Sequence, residues 1–239
     1  SYVKNKYSLG ITGTHTLFNS EIQKSFHAYN LFQFRGKEIT NSGIDYNLHF
    51  KNINVFGEAS LSSTSNSGFS YAFLNGCIIS LHSKVALSLL HRNFKKGYQN
   101  LFANVFAETA SASNEKGIYW GINITPIKTI VINSYCDYYS FPWLKYNANA
   151  PSYGNEYLVQ ITYTPNKNFE TYVQVNNKKQ LINSDLLSSI DFIVPVKRIN
   201  YRWNLRYRIS PVLTLRNRVE LLFINKTDSP EEKGYIILQ

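Results

Sequence analysis

The sequence has no methionine, only two cysteines, and no run of about 18 apolar residues, the length that a membrane-spanning helix requires. Cys77 and Cys136 lie on segments that are not expected to be neighbours, so we do not predict a disulfide between them, and their spacing fits no metal motif. The first residue is serine, and no basic and apolar leader follows it. We therefore expect the chain to begin after a cleaved signal or inside a longer protein.

Charged residues are also scarce, at 17% against the roughly 25% that is usual for soluble domains. Hydrophobic residues make up 44%, which is ample for a folded core, and aromatic residues make up 15%, which suits the aromatic girdles of a membrane protein. The formal net charge of +10 fits an anionic partner such as lipopolysaccharide, a nucleic acid or an acidic solute. The alternative is that the cations form a structural network with the few carboxylates.

Motifs for catalysis and for metal or cofactor binding are missing as well. The sequence contains five histidines but no HExxH, no CxxC and no GxSxG motif. Asp45 and His49 fall on one face of a predicted strand, yet four residues of strand place them about 13 Å apart, too far for a hydrogen bond. We therefore predict no enzymatic activity, no cofactor and no metal site. A hydrolase built from side chains of several strands stays an alternative.

The segment Arg198–Ile209 is the most informative part of what is present. Large apolar or aromatic residues occupy its odd positions, and cationic or amide residues occupy its even positions. Because alternate side chains of a strand point to opposite faces, the segment predicts a strand with one apolar face and one strongly charged face. After Ser210-Pro211 the pattern repeats: Leu213, Leu215, Val219, Leu221 and Phe223 share one face, and Thr214, Arg216, Arg218 and Glu220 share the other.

These two strands predict a membrane β-barrel, in which one face meets lipid and the other meets water or a polar plug. A soluble sandwich also alternates, but its polar face rarely needs this many arginines. Arginine on the lipid face would cost about 2–4 kcal/mol at the bilayer midplane, so we expect the arginines to line the lumen. The lumen candidates for attracting an anion are Arg198, Arg202, Arg206, Arg208, Arg216 and Arg218. Their alternative role is to neutralise Glu156, Glu170 and Glu220 and to brace the barrel wall.

Turn signals divide the whole chain into about twelve strands. Tight connections are predicted near 51–52, 82–83, 125–126, 164–165 and 210–211, three of which are Thr-Pro or Ser-Pro. Longer polar connections alternate with them and cover about 18–40, 62–68, 93–115, 141–155, 177–189 and 225–233. This alternation is typical of an up-and-down outer-membrane barrel, with short periplasmic turns and long outer loops. A short loop helix is considered at 99–107.

Two of the long connections have a composition suited to binding a ligand. The segment Phe94–Phe102 is basic and aromatic, and the segment Phe141–Tyr146 is aromatic with one lysine. Aromatic rings can stack on bases while lysines hold phosphates, so the loop binding candidates are Lys95, Lys96, Tyr98, Phe102, Trp143 and Tyr146. The alternative is that these loops pack over or into the barrel mouth, with Trp143 at the membrane interface.

Several of these segments resemble a known family. They are Leu89–Phe94, Tyr98–Glu108, Asn114–Gly117, Phe141–Tyr146 and Ala150–Gly154. Together they look like the outer-membrane β-barrel of Bacteroidota proteins that carry an N-terminal helix-hairpin-helix (competence-protein-like) region. The resemblance spans nearly the whole chain and implies a cell-outer-membrane location and a larger parent protein, but no catalytic site. Nothing similar to the helix-hairpin-helix region, which would suggest DNA, precedes Tyr2, and Gly234–Gln239 lacks the aromatic residue that usually ends a barrel.

We therefore predict an all-β, antiparallel, up-and-down transmembrane β-barrel in the cell outer membrane. Residues 1–239 are expected to form a single domain that is a fragment of a larger barrel. Its predicted role is that of a channel or scaffold with an arginine-lined lumen and long extracellular loops. A nucleic-acid binding or uptake component is one alternative, and a membrane-embedded hydrolase is the second. The expected partners are outer-membrane lipid and lipopolysaccharide, with an anionic solute, a nucleic acid and a partner protein or plug as further candidates.

Overall fold

The computed structural model describes residues 1–4, 6–64, 68–185, 192–228 and 233–238, which contain thirteen β-strands and one short 3-10 turn. The strands are β1 (Tyr2–Lys4), β2 (Tyr7–Ile22), β3 (Gly36–Phe50), β4 (Ile53–Thr64), β5 (Gly68–His82), β6 (Val85–Phe94), β7 (Glu115–Ile127), β8 (Ile130–Phe141), β9 (Ser152–Asn166), β10 (Phe169–Asn183), β11 (Ile193–Arg208), β12 (Thr214–Lys226) and β13 (Lys233–Leu238). The 3-10 turn covers Ala28–Asn30. Within these ranges there is no helix whose length and apolar character would let it cross a membrane.

The strands lie in one antiparallel sheet in which each strand neighbours the next strand of the chain. This confirms the predicted all-β, antiparallel, up-and-down class. Strand β1 was not predicted, because three residues are too few to show an alternation. Valine, isoleucine, tyrosine and threonine recur along the strands, and β-branched and aromatic side chains fit the pleated surface of a sheet.

Tight turns join the strands at one end, here called the turn end, and longer connections join them at the opposite, loop end. Two-residue turns lie at 51–52, 83–84, 128–129 and 167–168, and a longer turn covers 209–213. The turns predicted at 125–126 and 164–165 are therefore three residues too early. Pro126 and Pro165 belong to the last residues of β7 and β9, where a missing N–H group is tolerated.

The connections at the loop end agree with the prediction in part. Those at 95–114 and 142–151 lie within a few residues of the predicted bounds. Strand β10 continues to Asn183, so the connection predicted from 177 begins at 184. That error arose because this end of the strand is polar on both faces and shows no alternation. The connection predicted at 62–68 is reduced to 65–67, outside the described residues, and 99–107 forms turns and bends but no helix.

The chain divides into two compact units. The first consists of Ser1–Ile79, Leu89–Ile118 and Tyr139–Tyr153, and the second of Ser80–Ser88, Tyr119–Tyr138 and Gly154–Gln239. Within each unit, alternate residues of the paired strands form one apolar face and one polar face, as the alternation predicted.

In the second unit, the register of β9 to β12 aligns the apolar residues in rows across the strands. One row contains Val159, Val175, Tyr201 and Leu221, and the next contains Ile161, Val173, Trp203 and Val219. Most of these side chains are exposed, with Trp203 at 41% and Val173 at 54%. Aromatic rings in edge contact lie at both ends of this surface: Tyr163, Phe169 and Tyr207 at the turn end, and Tyr201, within its row, with Phe223 toward the loop end. The second unit therefore exposes a broad apolar surface bordered by aromatic rings.

The first unit has the same inverted distribution of side chains. The apolar face of β2 to β5 is exposed at Leu9, Ile11, Ile44, Leu61, Phe69 and Phe73. The opposite, polar face buries Ser60, Ser62 and Thr64. A hydrophobic cluster lies on this polar face and combines Ala72 and Phe94 of the strands with Tyr98 and Ala112 of the connection 95–114. The core of the first unit thus lies on the face that carries small and polar side chains, beneath that connection.

Candidate functional site

The two ends of the connection 95–114 are fastened to each other and to the sheet of the first unit. The Lys95 N–H donates to the Tyr71 carbonyl at 3.1 Å. The Lys95 carbonyl accepts from the N–H of Tyr98 at 3.0 Å and from the N–H of Asn114 at 3.3 Å. These bonds hold the entry and exit of the connection side by side, and Tyr98 then fills the hydrophobic cluster. We refer to residues 95–114 as the inner loop.

Gln99 is the main polar anchor of the inner loop. Its N–H donates to the Ser62 hydroxyl at 3.0 Å, and its carbonyl accepts from the Asn41 side-chain amide at 2.7 Å. Its own side chain accepts from the Phe34 N–H at 3.2 Å and donates to the Phe32 carbonyl at 3.0 Å. Buried polar groups are costly unless they are hydrogen-bonded, so these contacts fix the inner loop against β3, β4 and the connection 23–35.

A fully buried ion pair supports the far side of the inner loop. Arg92 Nε lies 2.6 Å from Glu115 Oε1, and both side chains are 0% exposed. The Glu115 carboxylate also accepts from the N–H groups of Glu108 at 3.0 Å and Thr109 at 3.4 Å. A Cβ at Gly117 would lie 2.4 Å from Arg92 Cζ, so glycine is needed to make room for the guanidinium. Neither charge could stay buried without the other, because a lone buried ion costs several kcal/mol.

The inner loop and the connections 23–35 and 142–151 line a pocket of about 390 Å³, which we call the loop pocket. Tyr29, Phe32, Trp143 and Tyr146 supply its aromatic walls. Lys96 Nζ lies 4.1 Å from the ring centre of Phe32 and 4.2 Å from that of Trp143. Aromatic faces attract cations, so the lysine is held between the two rings with its charge at the pocket wall. The loop pocket therefore combines flat apolar surfaces with positive charge.

Hydrogen bonds fix the position of Trp143 in the loop pocket. The Trp143 N–H donates to Asn114 Oδ1 at 2.7 Å, and Asn114 Nδ2 donates to the Trp143 carbonyl at 2.9 Å. The indole Nε1 donates to the Ala28 carbonyl at 3.0 Å. Asn114 has a φ of +57°, in the left-handed region that asparagine tolerates better than most residues. The aromatic wall is thereby held in place before any ligand arrives.

The structure brings three of the six predicted loop candidates together. Lys96, Trp143 and Tyr146 all line the loop pocket. Tyr98 is 3% exposed and packs in the hydrophobic cluster, so its role is structural and it is not available to a ligand. Lys95 Nζ lies over the Tyr71 ring, and Phe102 is 77% exposed, and neither residue lines the pocket.

The six predicted arginines lie on the polar face of β11 and β12. In the register of these strands, Arg202 faces Glu220, Asn204 faces Arg218, and Arg206 faces Arg216. Glu220 holds two of the six: Arg202 Nε lies 2.8 Å from Glu220 Oε1, and Arg218 Nε lies 3.9 Å from the same oxygen. The other four are exposed: Arg198, Arg206, Arg208 and Arg216.

Glu156 and Glu170, the other two carboxylates expected to neutralise the arginines, make no ion pair with them among the contacts of the described residues. Glu156 Oε2 lies 3.1 Å from Lys178 Nζ, while its other oxygen accepts from the Tyr135 hydroxyl at 2.6 Å and from Asn176 at 2.7 Å. Glu170 faces Arg206 on the neighbouring strand. The expected bracing by carboxylates is thus realised at Glu220, and the polar face of the second unit carries a surplus of positive charge.

A small polar cluster ties the loop-end connections of the second unit. Asp228 Oδ2 accepts from the Ser184 hydroxyl at 2.5 Å and from the Asp185 N–H at 2.9 Å. Lys226 Nζ lies 2.7 Å from Asp185 Oδ2 and 3.7 Å from Asp228 Oδ2. The hydrogen bond from Ser184, followed by that from the Asp185 backbone and the charge of Lys226, lowers the pKa of Asp228 below its usual range.

Other chemically capable side chains do not converge in the described ranges. Asp45 and His49 are exposed on the polar face of the first unit, opposite Glu58 and Asn54. No group of three or more histidine, cysteine, aspartate or glutamate side chains in the described part of the chain could hold a metal ion. Both cysteines are free thiols.

Sequence reasoning missed the residues that organise the loops: Arg92, Gln99, Asn114 and Glu115. Their roles depend on partners far away in the sequence, such as Phe34 for Gln99 and Trp143 for Asn114. One local signal was present. Gly117 lies within a strand, and a glycine there often marks a close approach of another group, which is the Arg92 guanidinium in this case.

The sequence matches no protein-family model and no curated protein.

Proposed function

We propose that this chain is part of an outer-membrane β-barrel whose arginine-lined polar face forms an anion-attracting wall of a water-filled lumen. The observation that carries the proposal is that Arg206 and Arg216 lie directly opposite each other on neighbouring strands. Both side chains are exposed, and the other face of the same strands is a broad exposed apolar surface. Like charges directly opposite each other destabilise a sheet. Water and anions screen that repulsion over roughly 8–10 Å, so the pair fits a wet lumen.

Membrane insertion is supported by the inverted distribution of side chains. A soluble sheet buries its apolar face, whereas both units expose theirs to the surroundings. From Ile199 to Tyr207 the apolar face of β11 covers nine residues, or about 27 Å of strand. Nine residues lie within the roughly 9–11 residues that a tilted transmembrane β-strand requires. The aromatic rings at both borders fit the interfacial girdles of such barrels.

Location in an outer membrane is supported by the connections. Short turns at one end and long connections at the other are the arrangement of outer-membrane barrels. The similarity of several segments to Bacteroidota outer-membrane barrels, noted above, supports the same location.

The test is the ion selectivity of the protein in planar bilayers. Arg206→Gln combined with Arg216→Gln should leave folding unchanged, because both side chains are exposed. The reversal potential in a salt gradient should move away from anion selectivity, since two charges leave the lumen wall. The matched control is Lys179→Gln with Lys197→Gln, which removes the same charge from the opposite face of neighbouring strands. Equal shifts for both pairs, or no shift for the arginine pair, would reject the anion-attracting wall.

A second candidate function, binding of single-stranded nucleic acid, is favoured by the loop pocket. Its aromatic rings and Lys96 provide the stacking surfaces and the charge that bases and phosphates require. Phosphate contacts make such binding strongly salt-dependent. Trp143→Ala should weaken binding of an oligonucleotide at every salt concentration, by roughly 1–3 kcal/mol for one lost stack. Phe102→Ala, which removes an exposed aromatic ring outside the pocket, is the control. If the two variants bind alike, the pocket is not the binding site.

A further inference from the structure

One row on the apolar face of the second unit is polar. Asn155, Lys179, Lys197 and Asn225 are aligned across β9, β10, β11 and β12 by the strand register. The adjacent row toward the turn end contains Tyr157, Asn177, Ile199 and Phe223. Both lysines of the polar row are exposed. The polar row thus borders the apolar surface on its loop-end side.

The two lysines face each other directly. Opposite residues of antiparallel strands have their Cβ atoms about 4.5–5.5 Å apart, so two ammonium groups can reach a common point beyond the sheet. The two ammonium groups repel each other when no anion is bound, and an anion between them would reduce this repulsion. A phosphate group, with several acceptor oxygens, can accept hydrogen bonds from both ammonium groups at once.

A shallow groove of about 540 Å³ continues from the polar row along the apolar face. Lys197 and Asn225 lie at its polar rim, and Ile199, Tyr201, Phe223 and Ile224 line the remainder. The groove therefore offers positive charge at one end and apolar surface toward the turn end. A free anion would use the rim alone, whereas an amphiphile with an anionic head and an acyl chain would use both parts.

We propose that the polar row and the groove bind a phosphorylated glycolipid of the outer leaflet, with its phosphate between Lys179 and Lys197 and an acyl chain along Ile199, Tyr201 and Phe223. The proposal rests on the proposed function, because it needs the apolar face to lie in lipid. The loop end of a barrel faces the cell exterior. The row therefore lies at the depth of the outer-leaflet head groups.

The test uses the full chain inserted into phosphatidylcholine vesicles that contain a small fraction of diphosphorylated lipid A. Lipid A retained by the protein is quantified by native mass spectrometry after mild detergent extraction. Lys179→Gln with Lys197→Gln should weaken retention roughly 10- to 30-fold, since each lysine at a membrane surface contributes about fivefold to binding of an anionic lipid. Lys179→Arg with Lys197→Arg keeps the charge and should retain the lipid. Arg206→Gln with Arg216→Gln removes the same charge from the opposite face and should also retain it.

The outcomes distinguish failure of the proposed lipid site from failure of the proposed membrane insertion. If the wild-type protein does not float with the vesicles or stays fully open to added protease, both proposals fail. If the protein inserts but the lysine-to-glutamine pair retains lipid A as the wild type does, the lipid site alone fails. Equal losses in the lysine and arginine pairs would mean attraction by net charge and would also overturn the site. Should the lysine-to-glutamine pair not fold, wild-type retention of phosphatidylcholine equal to that of lipid A would overturn it.

Discussion

The polar faces of the two units accommodate their charged side chains in different ways. In the first unit the inner loop covers part of the face, and the buried Arg92 lies against the buried Glu115, both at 0% exposure. In the second unit the face is open and cation-rich, and Arg206 faces Arg216 without being buried. Burial forces matching, because an unpaired ion in the interior costs several kcal/mol, whereas exposure permits a surplus of one sign.

The difference teaches which part of the molecule is structural and which part is available for a ligand. Removing a polar group from the covered face leaves its partner buried and unsatisfied. Removing one from the open face leaves a partner that water can solvate. The same type of substitution should therefore have large effects in the first unit and small effects in the second.

The largest effect is expected for Glu115→Ala. It removes the carboxylate that pairs with the buried Arg92 guanidinium and that accepts from the N–H groups of Glu108 and Thr109, so the free energy of unfolding should fall by about 3–5 kcal/mol. The matched substitution in the second unit is Glu170→Ala, opposite the exposed Arg206. It should change stability by no more than about 0.5 kcal/mol. Urea unfolding in detergent micelles, followed by tryptophan fluorescence, measures both. Similar decreases in the free energy of unfolding for the two variants would contradict the proposed difference between the two polar faces.

A smaller effect is expected for Gln99→Ala. It removes the acceptor of the Phe34 N–H and the donor to the Phe32 carbonyl, at a cost of about 1–3 kcal/mol for buried groups left unpaired. Gln174→Ala, on the open polar face next to Arg202, is the control and should be nearly neutral. Hydrogen exchange of the inner loop provides a second readout, since faster exchange there is expected in the Gln99 variant alone. Unchanged exchange in that variant would mean that Gln99 does not anchor the loop.

The smallest effect is expected at the Asp228 cluster when the pH is lowered. The pKa of this carboxyl is lowered in the folded protein, so the stability that its charge provides is fully present above its unfolded pKa and is lost as pH falls through the lowered value. Local opening of the connections at 184–185 and 227–228 should increase in that acidic window. Asp228→Asn should remove this dependence, which hydrogen exchange can follow across the pH range. An unchanged acid profile in the variant would assign the dependence to another group.

Alternation along the sequence predicted the class of the fold and the two faces of β11 and β12 correctly. It succeeded there because each strand obeys one period over more than ten residues. It failed at strand ends. Proline indicates a turn at Pro126 and Pro165, although it also fits the last residues of a strand, and the polar residues at the end of β10 are typical of a loop.

Residues of the candidate site could be predicted only where the local sequence pattern indicates where a side chain lies in the fold. The arginines follow from the period of the strand, and Lys96, Trp143 and Tyr146 follow from the aromatic and basic composition of their loops. The same composition gave Tyr98 as a binding candidate, although it packs on Ala72 beneath the inner loop. A loop has no period, so its sequence does not tell which aromatic ring points inward. Only the tertiary contacts of Gln99, Asn114 and Glu115 decide that.

The most direct test of the central claim compares two neighbouring positions of β11. With Cys77 and Cys136 replaced by alanine, Trp203→Cys and Asn204→Cys place one thiol on the apolar face and one on the polar face. In protein inserted into lipid vesicles, a water-soluble maleimide should modify the cysteine at position 204 readily and the cysteine at position 203 hardly at all. Equal rates at the two positions would contradict a sheet with lipid on one face and water on the other.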